Sequence, residues 1–172
     1  AFRMNAPKSR RQGVEIGARL RPHDRVDVQV NYSYTDARYR SQAVLFGGTI
    51  NPGDRVALVP LHRLYGRVTV RPLDGMELGV DGQYVGRQVL LENETNQTTF
   101  RIQDAFLLNA QVSYTWKQFT LFAQGNNLTD AKNETYGIYA FDPRTFGNSV
   151  FLMPAPGINA LVGLRVKFEG YY

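Results

Sequence analysis

The side chains best suited to chemistry in this sequence are aromatic rings and arginines gathered in long, turn-rich segments. Residues 129–156 hold Tyr136, Tyr139, Phe141, Arg144, Phe146 and Phe151, and residues 39–59 hold Phe46. Rings beside a guanidinium can capture a planar or sugar-like ligand by stacking and cation–π attraction. The same rings could instead pack the segments against one another, and residue types alone leave both uses open. Metal chemistry finds no support. His23 and His62 fall in a tight turn and near a strand end, and cysteine is absent, so neither a two-histidine nor a thiolate site can be drawn. Hydrolysis needs a nucleophile with a positioned base, and no serine, histidine and aspartate stand in such an arrangement. No cofactor and no enzymatic activity are expected.

A second set of candidate groups, Glu15, Arg19, Asp27, Arg63, Arg67, Asp81, Arg87, Arg165 and Lys167, lies in or beside stretches that alternate apolar and polar residues. In Val26-Asp27-Val28-Gln29-Val30-Asn31-Tyr32-Ser33-Tyr34-Thr35 every even position is apolar or aromatic and every odd one is polar. Alternate residues of a strand face opposite sides, so the elements that position these charges are two-faced strands. The apolar faces run Val14 to Leu20, Val26 to Tyr34, Leu64 to Val70, Leu78 to Tyr84, Phe106 to Trp116, Phe119 to Gly125 and Ala160 to Phe168, and none carries a charge. That absence suits a lipid-facing wall, where Arg or Lys at the bilayer midplane costs about 2–4 kcal/mol.

The pattern predicts strands at 10–21, 26–38, 60–71, 76–88, 103–116, 119–128 and 157–169. Several exceed the usual soluble strand and suit a tilted membrane span of about 9–11 residues. Tight turns at Pro22-His23-Asp24-Arg25, Pro72-Leu73-Asp74-Gly75 and Lys117-Gln118 alternate with long connections at 39–59, 89–102 and 129–156. Outer-membrane barrels have short periplasmic turns and longer extracellular loops, so the first strand descends and the seventh ends in the periplasm. An odd strand count entering from outside does not close a single-chain bacterial barrel, and the chain is expected to be part of something larger. An eighth strand within Ala1–Pro7 or around Asn148–Met153 would instead allow a small closed barrel. Aromatics sort into two belts, with Tyr32, Tyr34, Tyr84 and Phe106 toward the outer rim and Tyr114, Trp116, Phe119 and Phe168 toward the periplasmic rim.

Composition is compatible with this reading. The 172 residues are 20% charged with a mean hydropathy of −0.33, as expected when each strand gives half its residues to water. No apolar run approaches the roughly 18 residues of a membrane helix. Lys and Arg outnumber Asp and Glu by 20 to 15. The arginines are spread along polar strand faces with no compact stripe, which favours lumen or surface charge over nucleic-acid binding. No charged-then-apolar leader opens the sequence, so a signal peptide is expected to be removed or to lie upstream.

Several motifs, in serial order, resemble those of TonB-dependent outer-membrane receptors. Asn5 followed by Ser9-Arg10-Arg11-Gln12-Gly13-Val14-Glu15 resembles the family's "N…RRxGVE" strand entry, and Tyr32-Ser33-Tyr34-Thr35-Asp36-Ala37 its "YSYTxA". Pro60-Leu61-His62-Arg63-Leu64 and Tyr84-Val85-Gly86-Arg87-Gln88 resemble its "PxHxL" and "YVGxQ". Asn126-Asn127-Leu128-Thr129-Asp130 with Tyr136 resembles "NNLTD…Y", and Pro156-Gly157 opens the last strand as "PGR" does, with Ile158 in place of Arg. Gly163, Val166 and Phe168 resemble the terminal signal read by the barrel-assembly machinery. Leu161 departs from its polar preference, and Glu169-Gly170-Tyr171-Tyr172 extends past it, which leaves Tyr172 as an alternative terminal aromatic.

The resemblance implies the C-terminal part, residues 1–172, of an all-β antiparallel barrel of 22 strands. The lumen of such a barrel is filled by a plug domain that this sequence lacks. Implied partners are outer-membrane lipid, the plug and remaining strands, TonB through a missing N-terminal region, and the assembly machinery. The implied substrate is a scarce nutrient of the siderophore, haem, cobalamin or saccharide class. On this reading Phe46, Arg63, Arg87, Tyr136, Tyr139, Phe141, Arg144 and Phe146 are ligand candidates at the loops and outer rim. Glu15, Arg19, Asp27, Arg67, Asp81, Arg165 and Lys167 face lumen or plug, unless they pair with each other across strands at about 0.2–1 kcal/mol each. The Asn-x-Thr matches at Asn93, Asn96, Asn127 and Asn133 carry no glycosylation role in such a protein. Competing readings are a passive porin or small barrel, and a soluble β-sandwich in which the faces Val14–Leu20 and Val26–Tyr34 pack inward.

Overall fold

A computed structural model describes residues 7–45, 48–95 and 97–168. Every regular element among them is a strand: β1 (Ser9–His23), β2 (Val26–Tyr39), β3 (Ala43–Leu45), β4 (Gly48–Ile50), β5 (His62–Val70), β6 (Met76–Val85), β7 (Gln88–Val89), β8 (Arg101–Ile102), β9 (Ala105–Trp116), β10 (Phe119–Asn126), β11 (Glu134–Asp142), β12 (Gly147–Pro154) and β13 (Asn159–Val166). Seven of these form one antiparallel sheet in the order β1-β2-β5-β6-β9-β10-β13, and they are the seven expected from the alternation. Boundaries differ where backbone geometry intervenes. β10 stops at Asn126 because Asn127 takes φ +49°, a left-handed conformation no strand continues through.

The register matches apolar to apolar across the whole sheet. Leu20 pairs with Val28, Val28 with Val68, Val68 with Val80, Val80 with Ala110, Ala110 with Gly125 and Gly125 with Ala160. This row crosses all seven strands without a charge. Toward the outer end, Ile16, Tyr32, Leu64, Tyr84 and Phe106 form the next belt. Tyr32 Oη there lies 2.8 Å from His62 Nδ1. At the opposite end Trp116 stacks on Phe119 with centroids 6.5 Å apart, and Lys117 Nζ lies 4.8 Å from the indole centroid. Ile16, Val80 and Leu164 stay exposed, and no second sheet layer covers this face among the described residues. The inward packing that a β-sandwich requires is therefore not observed.

The long connections fold into hairpins. β3–β4, β7–β8 and β11–β12 are separate two-stranded sheets, and together they make a cap at the outer end of the wall. The strand anticipated around Asn148–Met153 exists as β12, but it pairs with β11 and adds nothing to the wall. The other proposed location, Ala1–Pro7, lies almost wholly outside the described residues. Apolar burial is concentrated in the cap: among the described residues Ile50, Ala57, Val89, Leu90 and Ile102 are buried in the connections, against Ala37 in a wall strand. Leu58 donates its N–H to the Val89 carbonyl at 3.0 Å, Leu91 to Gly137 at 2.9 Å, and Tyr139 to Leu91 at 2.9 Å, so the three connections are tied to one another. Gly137 is required by this packing, since a Cβ there would lie 2.5 Å from Leu90 Cδ2.

Candidate functional site

The polar face of the wall carries its charges in register rows. Asp27, near the tight-turn end of β2, accepts from Arg71 Nη1 at 2.7 Å, Arg21 Nε at 2.9 Å and Arg19 Nη2 at 3.3 Å. Two arginines of β1 and one just past the end of β5 thus converge on one nearly buried carboxylate. A second row runs Arg19, Gln29, Arg67, Asp81, Asn109, in which Asn109 donates to Asp81 at 2.8 Å and Arg67 Nε to Thr69 at 3.3 Å. Nearer the cap, Glu15 and Arg63 flank Ser33 in the row Glu15, Ser33, Arg63. They line a shallow groove with Asn31, Tyr65 and Gln83. Arg63 takes part in no ion pair among the described residues, whereas Arg87 pairs with Asp104 at 3.3 Å.

The aromatic candidates divide by exposure. Phe141 is 59% and Phe146 87% exposed on the β11–β12 hairpin, while Tyr136 and Tyr139 are half-buried in its base. Phe46 lies outside the described residues. Arg144 is clasped by its own turn: its Nε and Nη2 donate to Asp142 at 3.0 and 2.9 Å, and its backbone N–H donates to the same carboxylate at 2.9 Å. These bonds, the side-chain pair first, hold the Asp142 carboxyl below the usual carboxylate range. Arg144 therefore shapes the hairpin tip that presents Phe146 and is not a loose cation beside the rings.

At the tight-turn end of the wall the three expected assembly-signal residues are spread along β13 and just past it. A Cβ at Gly163 would overlap the Phe122 ring, whose other neighbour is the Arg165 guanidinium, 5.9 Å from its centroid. Val166 pairs with Phe119, and Phe168 is fully open. Lys167 donates its backbone N–H to Gln118 at 2.9 Å, tying the end of β13 to the turn. Tyr172 lies outside the described residues.

The Asn126–Asp130 motif does structural work that residue types alone do not assign. Asn127 is almost fully buried. Its Oδ1 accepts from the Ala131 N–H at 3.0 Å, and its Nδ2 donates to the Ala131 and Pro156 carbonyls at 3.0 and 3.1 Å. Asp130 accepts from the Ile158 N–H at 3.1 Å. The Asn126–Asp130 stretch and Pro156-Gly157 are thus two halves of one clamp joining β10 to the start of β13. The available signal was the residue types: Asn127 and Asp130 take left-handed φ values of +49° and +48°, which Asn and Asp tolerate best among non-glycine residues. Asn93 is likewise buried, with Nδ2 bonded to the Thr98 carbonyl at 2.8 Å.

A profile described as "TonB dependent receptor-like, beta-barrel" matches residues 2–128. The chain belongs to that family. The family is one of receptors, and its members are bacterial outer-membrane proteins. No curated protein sequence matches the chain. Among solved structures of this TonB-dependent receptor fold, the ferric yersiniabactin uptake receptor FyuA of Yersinia pestis superposes with a TM-score of 0.77 at 19% identity, over 96% of this chain and 24% of its own. The siderophore receptor PiuA of Acinetobacter baumannii gives 0.73 at 18%, over 93% and 22%. The ferric-catecholate import receptor Fiu of E. coli gives 0.71 at 14%, over 93% and 21%. The chain therefore spans about a quarter or less of these TonB-dependent receptors. Its sheet, with uncharged rows on one face and charged rows on the other, accords with the outer-membrane location of the family.

Proposed function

We propose that this chain is the C-terminal wall and part of the extracellular cap of a receptor for TonB-dependent active uptake of a scarce nutrient. The nutrient is of the siderophore, haem, cobalamin or saccharide class. The observation that carries the reading is the register itself, in which uncharged rows cross seven strands on one face while arginines and carboxylates occupy the other. It is joined to a family match over residues 2–128. The relatives named for ferric yersiniabactin, ferric-catecholate and siderophore uptake favour an iron chelate among those classes.

In this scheme the missing strands close a 22-stranded barrel, and a plug domain fills its lumen. Arg19, Asp27, Arg67, Asp81, Arg165 and Lys167 face the plug, and TonB acts through the absent N-terminal region. Glu15 and Arg63 lie at the lumen entrance, Phe141 and Phe146 at the rim of the cap, and Gly163, Val166 and Phe168 serve the assembly machinery. The test is uptake of a labelled panel (ferric siderophores, haem, cobalamin, oligosaccharides) by cells with and without the protein, before and after collapse of the inner-membrane proton gradient. Saturable uptake of one compound that stops on collapse supports the receptor. Uptake that persists, with rates falling with solute size, replaces it with a passive pore.

A further inference from the structure

The β11–β12 hairpin ends in an edge that the described residues leave open. Its other flank is paired: Leu91 donates its N–H to the Gly137 carbonyl and accepts from the Tyr139 N–H, both at 2.9 Å. A strand residue aims its N–H and C=O to the same side, and successive residues alternate. Gly137, Tyr139 and Phe141 therefore point their backbone groups away from β12, while Ile138 and Ala140 point theirs toward it. Opposite Gly137, Tyr139 and Phe141 stand Leu152, Val150 and Asn148. These β12 residues consequently turn their own N–H and C=O groups outward, away from β11. None of those groups meets a backbone partner among the described residues.

An open edge is a template for another strand, and natural proteins blunt it with charges, bulges, proline or very short strands. β12 has no such guard along its length. Its eight residues, Gly147 to Pro154, include no charge, its pairing with β11 runs without a shift from Met153 to Gly147, and proline comes only at its end. Leu152 and Met153 lie exposed on it. In β3, β4, β7 and β8, by contrast, length alone limits pairing to two or three residues. Direction identifies the occupant. Asn133 Nδ2 donates to the Phe106 carbonyl at 3.2 Å, fastening the start of β11 to the outer end of β9, and β12 runs through Ala155, Pro156 and Gly157 into β13. The cap order Leu91, β11, β12 thus follows the wall order β6, β9, β10, β13. Cap and wall present their last edges on the same side.

The geometry points to one occupant: the extracellular connection that follows the barrel's first strand adds a strand to β12 and carries the cap across the closure of the wall. This rests on the closed barrel proposed above, in which that first strand pairs with β13. The added strand draws its affinity from the outward backbone groups of Asn148, Val150 and Leu152, and its register from alternate side chains. The test uses the full-length receptor in detergent. Hydrogen exchange resolved to single amides is expected to show Val150 and Leu152 slowed about tenfold or more relative to an unpaired edge. Exchange at the rate of exposed amides overturns the proposal.

Ser149→Cys identifies the occupant, since residues 1–172 contain no cysteine of their own. Ser149 aims its backbone at β11, so toward an added strand it stands in a non-hydrogen-bonded pair, whose Cα separation of about 4.5 Å suits a disulfide. With cysteines scanned along the connection after the first strand, oxidation is expected to join Ser149→Cys to one position there and to leave the adjacent positions reduced. A bond to a different connection, or between two receptor molecules, overturns this occupant. Val162→Cys in β13, set against cysteines scanned along the first strand, reports closure of the wall separately. Failure to bond there overturns the closed barrel itself. Bonding there with none from Ser149→Cys overturns the added strand alone.

Discussion

In the seven-stranded wall Ile16 is 59% exposed, whereas in the cap Ile50 and Ile102 are 2% and 1% exposed. The same side chain serves opposite surroundings a short distance apart. The wall has no interior of its own among the described residues: each strand has one apolar and one polar face, and neighbouring strands satisfy each other's backbone hydrogen bonds along the sheet. The cap stands in water and must bury apolar surface to hold a shape, which it does around Leu90. On the proposed membrane reading, stability in the wall is set by what the bilayer accepts, and stability in the cap by packing. Each region should therefore fail under changes the other tolerates.

The largest expected effect is in the cap. Leu90→Ala should cost about 2–5 kcal/mol of local stability. Hydrogen exchange or limited proteolysis would show residues 89–102 and 134–154 opening while the wall stays protected. Matched loss of protection in both regions would end the distinction. Val80→Arg, in the middle of the uncharged row, should destabilise the folded barrel by about 2–4 kcal/mol in a bilayer, measured by reversible unfolding from liposomes. Gln29→Glu, a charge on the opposite face between Arg19 and Arg67, should not destabilise it. Equal effects from the two substitutions would show that the faces are wrongly assigned.

The clamp at Asn127 tests the boundary between the regions. Asn127→Ala should cost about 1–3 kcal/mol, because it strands the Ala131 and Pro156 backbone groups it now satisfies. Exchange at 127–131 and 156–159 should rise without loss of the wall. The smallest effect concerns the hairpin tip. Asp142 has a depressed pKa in the folded protein through Arg144, so its contribution is present above the ordinary carboxylate range and lost only as pH falls through the lower folded value. The tip at 142–146 should therefore keep its protection through mild acid, whereas Asp142→Asn removes this pH dependence.

Alternation made the wall legible, because a period of two is written into every strand from Val14 to Phe168 and needs no knowledge of partners. The cap was not legible. β3, β4, β7 and β8 are two or three residues long, too short for a period to show, and Leu90 and Ile102 are single apolar residues whose partners lie in other connections. Of the charged candidates, alternation placed Glu15, Arg19, Asp27, Arg63, Arg67 and Asp81 on the polar face. It could not foresee that Asp27 gathers Arg19, Arg21 and Arg71, since that depends on strand stagger. Nor could composition separate Phe146, which projects, from Tyr139, which packs.

Among the described residues, pairing in the wall sheet departs from strict registration only between Leu20 and His23, beside the first tight turn. A sheet built this way reads each residue through a two-letter alphabet, greasy or wet, and a single insertion inside a strand would swap the letters for everything beyond it. Insertions and deletions are then confined to the connections, while substitutions within a letter pass almost unnoticed. A lineage under that rule can rewrite four residues in five and still superpose with a TM-score of 0.77 at 19% identity.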